Sequence, residues 1–363
     1  MQHRAQRNAR SCRGPSAPAA LPSFPFLSRS PPPPRLADRI TIAPGLKVSR
    51  MGLGTWSWGN QFLWGYRQEQ DAELQQVFNL VVQRGLNLFD TADSYGTGRL
   101  DGRSEKLLGR FMQECPKRKA DLVIATKLAG YPWRVLPSLV VDAAKASCER
   151  LGTQQLGLVQ LHWSASNYAP WQELAQQAGL ADCYDQGLCK AVGVSNFGAK
   201  RLRQLHAYLS KRGVPLATVQ IQFSLLSRTP LVLETKAVAD ELGIRLISYS
   251  PLALGLLSGK YSQDSLPSGP RGLLFRSLLP EIQPLLSTME AIGNERNKTM
   301  SQVAINWCCA KGTIPIPGAR TLSQAQEALG ALDWLLSDGE VAELDAAAAR
   351  TPKAMVQNIF QTS

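Results

Sequence analysis

The chain has 363 residues, 44% of them hydrophobic, and a formal net charge of +12. That is enough apolar material for one large core. Half of the charge excess lies in residues 1–37, which hold six arginines and no acid; the remainder forms no basic run, which argues against nucleic-acid binding, and no apolar stretch approaches the ~18 residues of a membrane span. Residues 1–38 are rich in Arg, Ser, Pro and Ala, with prolines at 31–34. Such a stretch cannot bury enough apolar surface to fold. Arg-rich, Ser-rich and acid-poor, without an apolar h-region, it has the composition of an organellar transit peptide rather than a secretory signal. A tail with no address, or a misassigned start codon, would read the same. Seven cysteines without a C-x-x-C pair indicate a reducing compartment and no disulfide frame or zinc site. Cys148 and Cys308 fall in helix patterns and are expected in the core.

In chain order, residues 40–48 read as a small hairpin about the Ala43-Pro44-Gly45 turn. Residues 51–55 form a short strand, followed by a loop with Trp56, Trp58, Trp64 and Tyr66. Asp71 is a candidate cap for a helix whose Leu74, Val77, Phe78, Val81 and Val82 share one face, closed at Gly85. Strand 87–90 and a helix near 104–112 follow. Strand 121–126 leads through Tyr131-Pro132-Trp133-Arg134 to a helix over 139–151, closed by Gly152. Strand 156–161 precedes a helix near 170–185; strand 191–194, a helix over 199–209; strand 218–221, a helix over 231–242. Strand 245–247 comes next. A helix over 300–311 opens with Thr299-x-x-Gln302, in which each side chain satisfies the other's exposed backbone N–H. Strand 313–316 and helices over 323–332 and 338–348 close the chain.

Eight short strands rich in Val, Ile and Leu alternate with helices. Continuous apolar strands imply burial on both faces, hence a parallel sheet. The expected fold is α/β, a (β/α)₈ TIM barrel over residues 39–363 with a short N-terminal hairpin and a disordered N-terminal extension. A doubly wound open sheet is the alternative; against it, Gly52-Leu53-Gly54 lacks the third glycine of the dinucleotide fingerprint.

In a barrel all C-terminal strand ends face one mouth. Asp90 ends one strand and Tyr95 stands five residues on; Lys127 and His162 end the next two. A free phenol titrates near 10, high for an acid working near neutrality. A buried ammonium beside it, Lys127, is expected to lower that value, with Asp90 holding the lysine charged and His162 orienting a carbonyl oxygen. Singly, each has a plainer reading: a loop cap, a surface aromatic, a lysine reaching solvent. Their joint placement points to carbonyl reduction, in which hydride reaches carbon and a proton reaches oxygen.

Phe89-Asp90-Thr91-Ala92-x-x-Tyr95-Gly96, Ala125-Thr126-Lys127, Gln160-Leu161-His162-Trp163 and Val192-Gly193-Val194-Ser195-Asn196-Phe197 resemble the aldo-keto reductases in order and separation. Ser248-Tyr249-Ser250-Pro251-Leu252 and Ile314-Pro315-Ile316-Pro317-Gly318 extend the likeness over roughly residues 38–350. The resemblance implies Tyr95 as proton donor, Asp90 and Lys127 as its tuning pair, and His162 as the group that places the carbonyl. Potassium-channel β-subunits look similar but typically lack this histidine. The implied cofactor is NADPH/NADP⁺. Ser195, Asn196 and Gln220 match carboxamide-binding positions, and Tyr249 the ring that stacks on nicotinamide. Residues 250–261, with Ser250, Leu252, Gly255, Gly259 and Lys260, resemble the loop around the pyrophosphate. Gly318, Arg320, Gln324 and Glu327 resemble the adenosine site; an arginine fork suits a 2′-phosphate. Ala328 departs from the family, which usually has Asn there. No metal is implied.

The loop aromatics Trp56, Trp58, Trp64, Trp133, Trp163, Tyr66 and Tyr131 suit a flat, aromatic aldehyde. Gly59-Asn60-Gln61-x-Leu63-Trp64-Gly65-Tyr66, Thr97-Gly98-Arg99-Leu100, Tyr131-Pro132-Trp133-Arg134 and Gln357-Asn358-Ile359-Phe360-Gln361-Thr362 resemble the plant chloroplast branch of the family that reduces pyridoxal to pyridoxine. That likeness implies vitamin B6 salvage in the stroma. A broad aldehyde reductase and a nucleotide-sensing regulatory subunit are the other readings.

Overall fold

The computed structural model describes residues 38–96, 102–115, 121–352, 355 and 358–362. The expected leader, Asp38 apart, lies outside them, as do Thr97-Gly98-Arg99-Leu100 and Gln357.

A hairpin comes first. Strand β1 (Arg39–Ala43) pairs antiparallel with β2 (Leu46–Ser49). Gly45, at the turn, takes φ +71°, a conformation only glycine adopts freely. Ile42, Ala43, Leu46 and Val48 are buried with Leu88, Val123, Ala125, Leu158, Ala191 and Ile314. Most of these lie early in the barrel strands, so the hairpin plugs the N-terminal mouth. The opposite mouth is left for chemistry.

The strands and helices then alternate: β3 (Leu53–Gly54), α1 (Gln61–Trp64), α2 (Asp71–Gln83), β4 (Leu88–Asp90), α3 (Arg103–Glu114), β5 (Val123–Leu128), α4 (Pro137–Leu151), β6 (Leu156–Leu161), α5 (Pro170–Asp185), β7 (Cys189–Ser195), α6 (Ala199–Lys211), β8 (Leu216–Gln222), α7 (Pro230–Glu241), β9 (Arg245–Tyr249), α8 (Pro270–Arg296), α9 (Met300–Ala310), β10 (Ile314–Ile316), α10 (Leu322–Leu329) and α11 (Asp338–Arg350). Strands β3 to β10 form one parallel sheet in sequence order. All eight expected barrel strands are present. The two edges meet: Gly52 N–H donates to Pro315 O (2.9 Å) and Gly54 N–H to Pro317 O (3.1 Å). A Cβ on Gly54 would lie 3.0 Å from Ile316 O, so the seam closes on a residue without a side chain.

Burial explains the apolar strands. Val159, Val192, Val194, Val219 and Ile221 face the helices and are fully buried, in one cluster with Val77, Phe78, Leu108 and Leu202. Cys148 and Cys308 are buried, as expected. Thr299 and Gln302 form the expected reciprocal cap of α9.

Two local expectations fail. Asp71 is the first residue of α2, not its cap; its carboxylate accepts from Tyr66 Oη and pairs with Arg110 instead. The long helix α8 was not expected, because Pro280 and Pro284 break the ladder in its interior. The helix persists because both prolines lie on its exposed side. Its other side buries Phe275, Leu278, Leu279, Ile282, Leu285, Leu286, Met289 and Ile292. That stripe has helical spacing, and it was the signal to follow.

Candidate active site

Strand register sets the site. Asp90 is the last residue of β4 and lies beside Ala125 of β5. Lys127, two residues further on the same inward face, lies beside Gln160 of β6. Its Nζ donates to Asp90 Oδ1 (2.8 Å), Asp90 Oδ2 (2.7 Å) and Thr91 O (2.8 Å). The three protons of the ammonium are thus all engaged. Asp90 and Lys127 are 2% and 1% exposed. Gln220, from β8 across the barrel, donates its Nε2 to Asp90 Oδ1 (2.7 Å).

The loop after β4 carries Tyr95. It is stapled to β5 by Thr91 N–H to Ala125 O (2.9 Å) and Asp93 N–H to Lys127 O (3.0 Å). Asp93 accepts from Ala129 N–H and pairs with Arg134 at 2.7 Å. This fixes the Tyr95 ring 4.8 Å from Lys127 Nζ, measured to its centroid. His162 follows β6. Its ring is edge-on to Tyr95 (centroids 5.5 Å apart) and tilted against Trp163 (4.8 Å). Ser94 Oγ lies 3.1 Å from its Nδ1.

One electrostatic expectation is reversed. Lys127 was to lower the Tyr95 phenol. Instead burial, then the Asp90 carboxylate, then Tyr249 hold it well above the usual phenol range. The reason is geometric: Asp90 cancels the lysine's field at contact distance, and no ammonium proton is left for the phenol oxygen. Tyr95 is therefore a protonated acid. Burial lowers Lys127 itself, against the pull of Asp90. Burial and the Lys127 charge push His162 well below the ordinary imidazole range, so its ring is neutral.

Of the seventeen residues expected at the site, all but Gly259 line one cavity of about 400 Å³. At its floor stand Asp90, Tyr95, Lys127 and His162. Ser195, Asn196, Gln220 and Tyr249 stand beside them; Ser250, Leu252, Gly255, Lys260, Gly318, Arg320, Gln324 and Glu327 extend the wall. Asn196 braces the wall rather than pointing free. Its Nδ2 donates to His162 O (3.0 Å) and its Oδ1 accepts from Tyr249 Oη (2.9 Å). Burial pushes the Tyr249 phenol up to about 12. Asn196, Ser250, Ala253 and Leu254 take φ between +48° and +59°. Such strain concentrates where backbone must line a ligand.

Three of the expected aromatics, Trp56, Trp64 and Trp163, line the cavity. Trp58 does not: it is fully buried against Phe111, with Nε1 donating to Ala319 O (2.9 Å). Tyr66 is buried as well, while Trp133 is 59% exposed and stacks on Tyr131, and neither of that pair lines the cavity. Asn358, Phe360 and Arg271, not among the expected site residues, also line the cavity. Phe360 stacks on Trp163 at 4.4 Å. Arg271 and Arg320 both lie over the Trp64 ring, at 4.6 and 5.4 Å.

The wall has the chemistry of a nucleotide site. Ser57 Oγ, Trp64 Nε1, Arg271 Nε and Ser301 Oγ border the cavity, are buried, and have no partner among the described residues. Buried polar groups are normally paired, so these four fit a polar ligand. Two guanidiniums and Lys260, with Glu327 near the lysine at 3.8 Å, give that end a net positive charge.

The fold and this wall define a barrel oxidoreductase. The aldo/keto reductase family model matches residues 50–349, and the chain belongs to that family. It is 56% identical over 328 residues, 90% of each chain, to the chloroplastic pyridoxal reductase of Arabidopsis thaliana. It is 35% identical over 313 residues, 84% of this chain and 91% of the other, to an uncharacterized oxidoreductase of Mycobacterium bovis. Among solved structures, the glycerol dehydrogenase of Gluconobacter oxydans aligns with TM-score 0.69 and 25% identity, covering 90% of this chain and 99% of that one.

Proposed function

We propose that this chain reduces pyridoxal to pyridoxine with NADPH in the chloroplast stroma, with Tyr95 as the proton donor. The observation that carries the chemistry is the joined set at the cavity floor: a buried Lys127–Asp90 pair under Tyr95, with neutral His162 beside it. NADPH bound along the wall supplies the hydride. Ser195, Asn196, Gln220 and Tyr249 would hold its nicotinamide end. Ser250, Leu252, Gly255 and Lys260 would hold the pyrophosphate; Gly318, Arg320, Gln324 and Glu327 would hold the adenosine end. Tyr95 and His162 polarise the carbonyl oxygen from two sides, and Tyr95 gives up its proton as alkoxide charge develops. Asp90 and Lys127 keep the phenol in place and balance the charge left on it.

For the substrate, support comes from the 56% identity to pyridoxal reductase and from the Trp163–Phe360 stack, a flat apolar wall for an aromatic ring. The acid-poor N-terminus and that relative's chloroplastic origin support the location. The test is NADPH consumption with pyridoxal beside a panel of small and aromatic aldehydes. A kcat/KM for pyridoxal ~100-fold above the panel, about 2.7 kcal/mol of discrimination, is expected. Pyridoxal level with the panel would leave a general carbonyl reductase in its place.

A further inference from the structure

We infer that Ser94 is a positioning residue that fixes which nitrogen of His162 carries the proton, so that Nε2–H is the group offered to the substrate oxygen. The inference rests on the carbonyl-reducing role proposed above for His162. Ser94 Oγ lies 3.1 Å from His162 Nδ1, and either atom could donate. Three observations decide the direction.

First, the ring is neutral and has one N–H to place. Second, that contact is the only hydrogen bond of the Ser94 side chain among the described residues. If Nδ1 held the proton, the serine hydroxyl would accept, its own proton would turn into the cavity it lines, and Nε2 would be left bare. If the serine donates, both groups are satisfied, and Nε2 takes the proton. Third, neighbouring rings flank the imidazole on two sides, Tyr95 (5.5 Å) and Trp163 (4.8 Å). Its backbone is pinned as well: His162 N–H donates to Leu128 O (2.9 Å), and His162 O accepts from Asn196 Nδ2 (3.0 Å).

The chemical consequence is direct. A bare Nε2 would set its lone pair against that of the carbonyl oxygen and repel it. A protonated Nε2 donates to it. Ser94 immediately precedes Tyr95, so one stapled turn delivers the acid and orients its partner.

The test uses the full chain labelled with ¹⁵N-histidine. Its three histidines are separated by comparison with His162→Gln. In the wild type, His162 Nδ1 is expected to resonate as an unprotonated nitrogen and Nε2 as a protonated one. Ser94→Ala should mix or invert that pattern and lower kcat for aldehyde reduction ~10-fold, the scale of one neutral hydrogen bond. NADPH affinity should stay within about twofold, because Ser94 acts at the substrate side of the floor. Ser94→Thr keeps the hydroxyl and should restore both spectrum and rate. A wild-type His162 protonated at Nδ1 would overturn the inference even if Ser94→Ala failed to fold. So would a Ser94→Ala enzyme with unchanged spectrum and rate. The underlying reading fails differently: His162→Gln would then reduce aldehydes at the wild-type rate, whatever the spectrum shows.

Discussion

At the scale of single residues, the cavity floor reverses a simple electrostatic expectation. The lysine beside the phenol does not make it a stronger acid, because Asp90 and Thr91 take all three ammonium protons. Tyr95 stays protonated through neutrality. Tyr95→Phe removes one oxygen from that arrangement. Stopped-flow reduction should slow by ~10²-fold or more, while NADPH binding measured by titration barely moves; an unchanged rate would remove Tyr95 from the acid's role. The pH profile has a defined sign. The acid works protonated, so the reduction rate falls only as pH rises through the raised phenol value. His162 works neutral, so its loss comes only as pH falls through its lowered value. Between them the rate should be flat. At the far end of the cavity, Arg320 donates to Trp64 O (2.6 Å) and lies over its ring. Arg320→Ala should weaken NADPH ~10-fold and NADH much less, if a 2′-phosphate is what the fork holds. Equal weakening of both would reject that role. Asp90, Lys127 and His162 were legible in the sequence because each closes an apolar strand. Arg271 was hidden because its helix was.

At the scale of elements, the strand that carries Lys127 is tied to two helices by a buried ion pair. Glu105 of α3 is fully buried; it accepts from Thr126 of β5 and pairs with Arg150 of α4 at 2.6 Å. Burial raises the Glu105 carboxyl, against the pull of Arg150 and the hydrogen bond from Thr126. Replacing it with alanine strands the arginine and leaves a cavity. Glu105→Ala should lower unfolding free energy by about 3 kcal/mol in urea, with an unchanged slope. A loss under ~1 kcal/mol would mean the pair contributes little to the strand's position. The same scale shows what periodicity could and could not tell. Helices with one apolar face and a glycine or a reciprocal cap at an end, such as α4 and α9, were read within a few residues. Helix α8 was not, because its prolines outweighed its buried stripe. Asp71 was misread because its nearest partner, Tyr66, was placed at the rim and is instead in the core.

At the scale of the whole molecule, the barrel divides its work. The N-terminal mouth is plugged by the hairpin, and the C-terminal mouth is shaped by segments far apart in sequence. Met355 and residues 358–362 pack at that mouth: Met355 N–H donates to Leu226 O (2.8 Å), Thr362 N–H to Asn196 O (3.1 Å), and Gly198 N–H to Thr362 Oγ1 (3.1 Å). They bring Phe360 onto Trp163. Phe360→Ala should lower kcat/KM for aromatic aldehydes ~10-fold and for a three-carbon aldehyde less than twofold; equal losses would make Phe360 a structural prop. No strand or helix pattern foretold this, since the tail's place depends only on where the finished barrel offers it partners. One wall of the mouth has a consequence of another kind. Trp64 lies beneath two guanidiniums and edge-on to Trp56, 5.8 Å away, at the boundary of the cavity. An indole in that setting emits light whose colour and yield depend on the charges around it. An anion drawing those guanidiniums away should change the share that Trp64 contributes to the emission of the eight tryptophans, so a fluorescence titration compared with Trp64→Phe would read how full the cavity is.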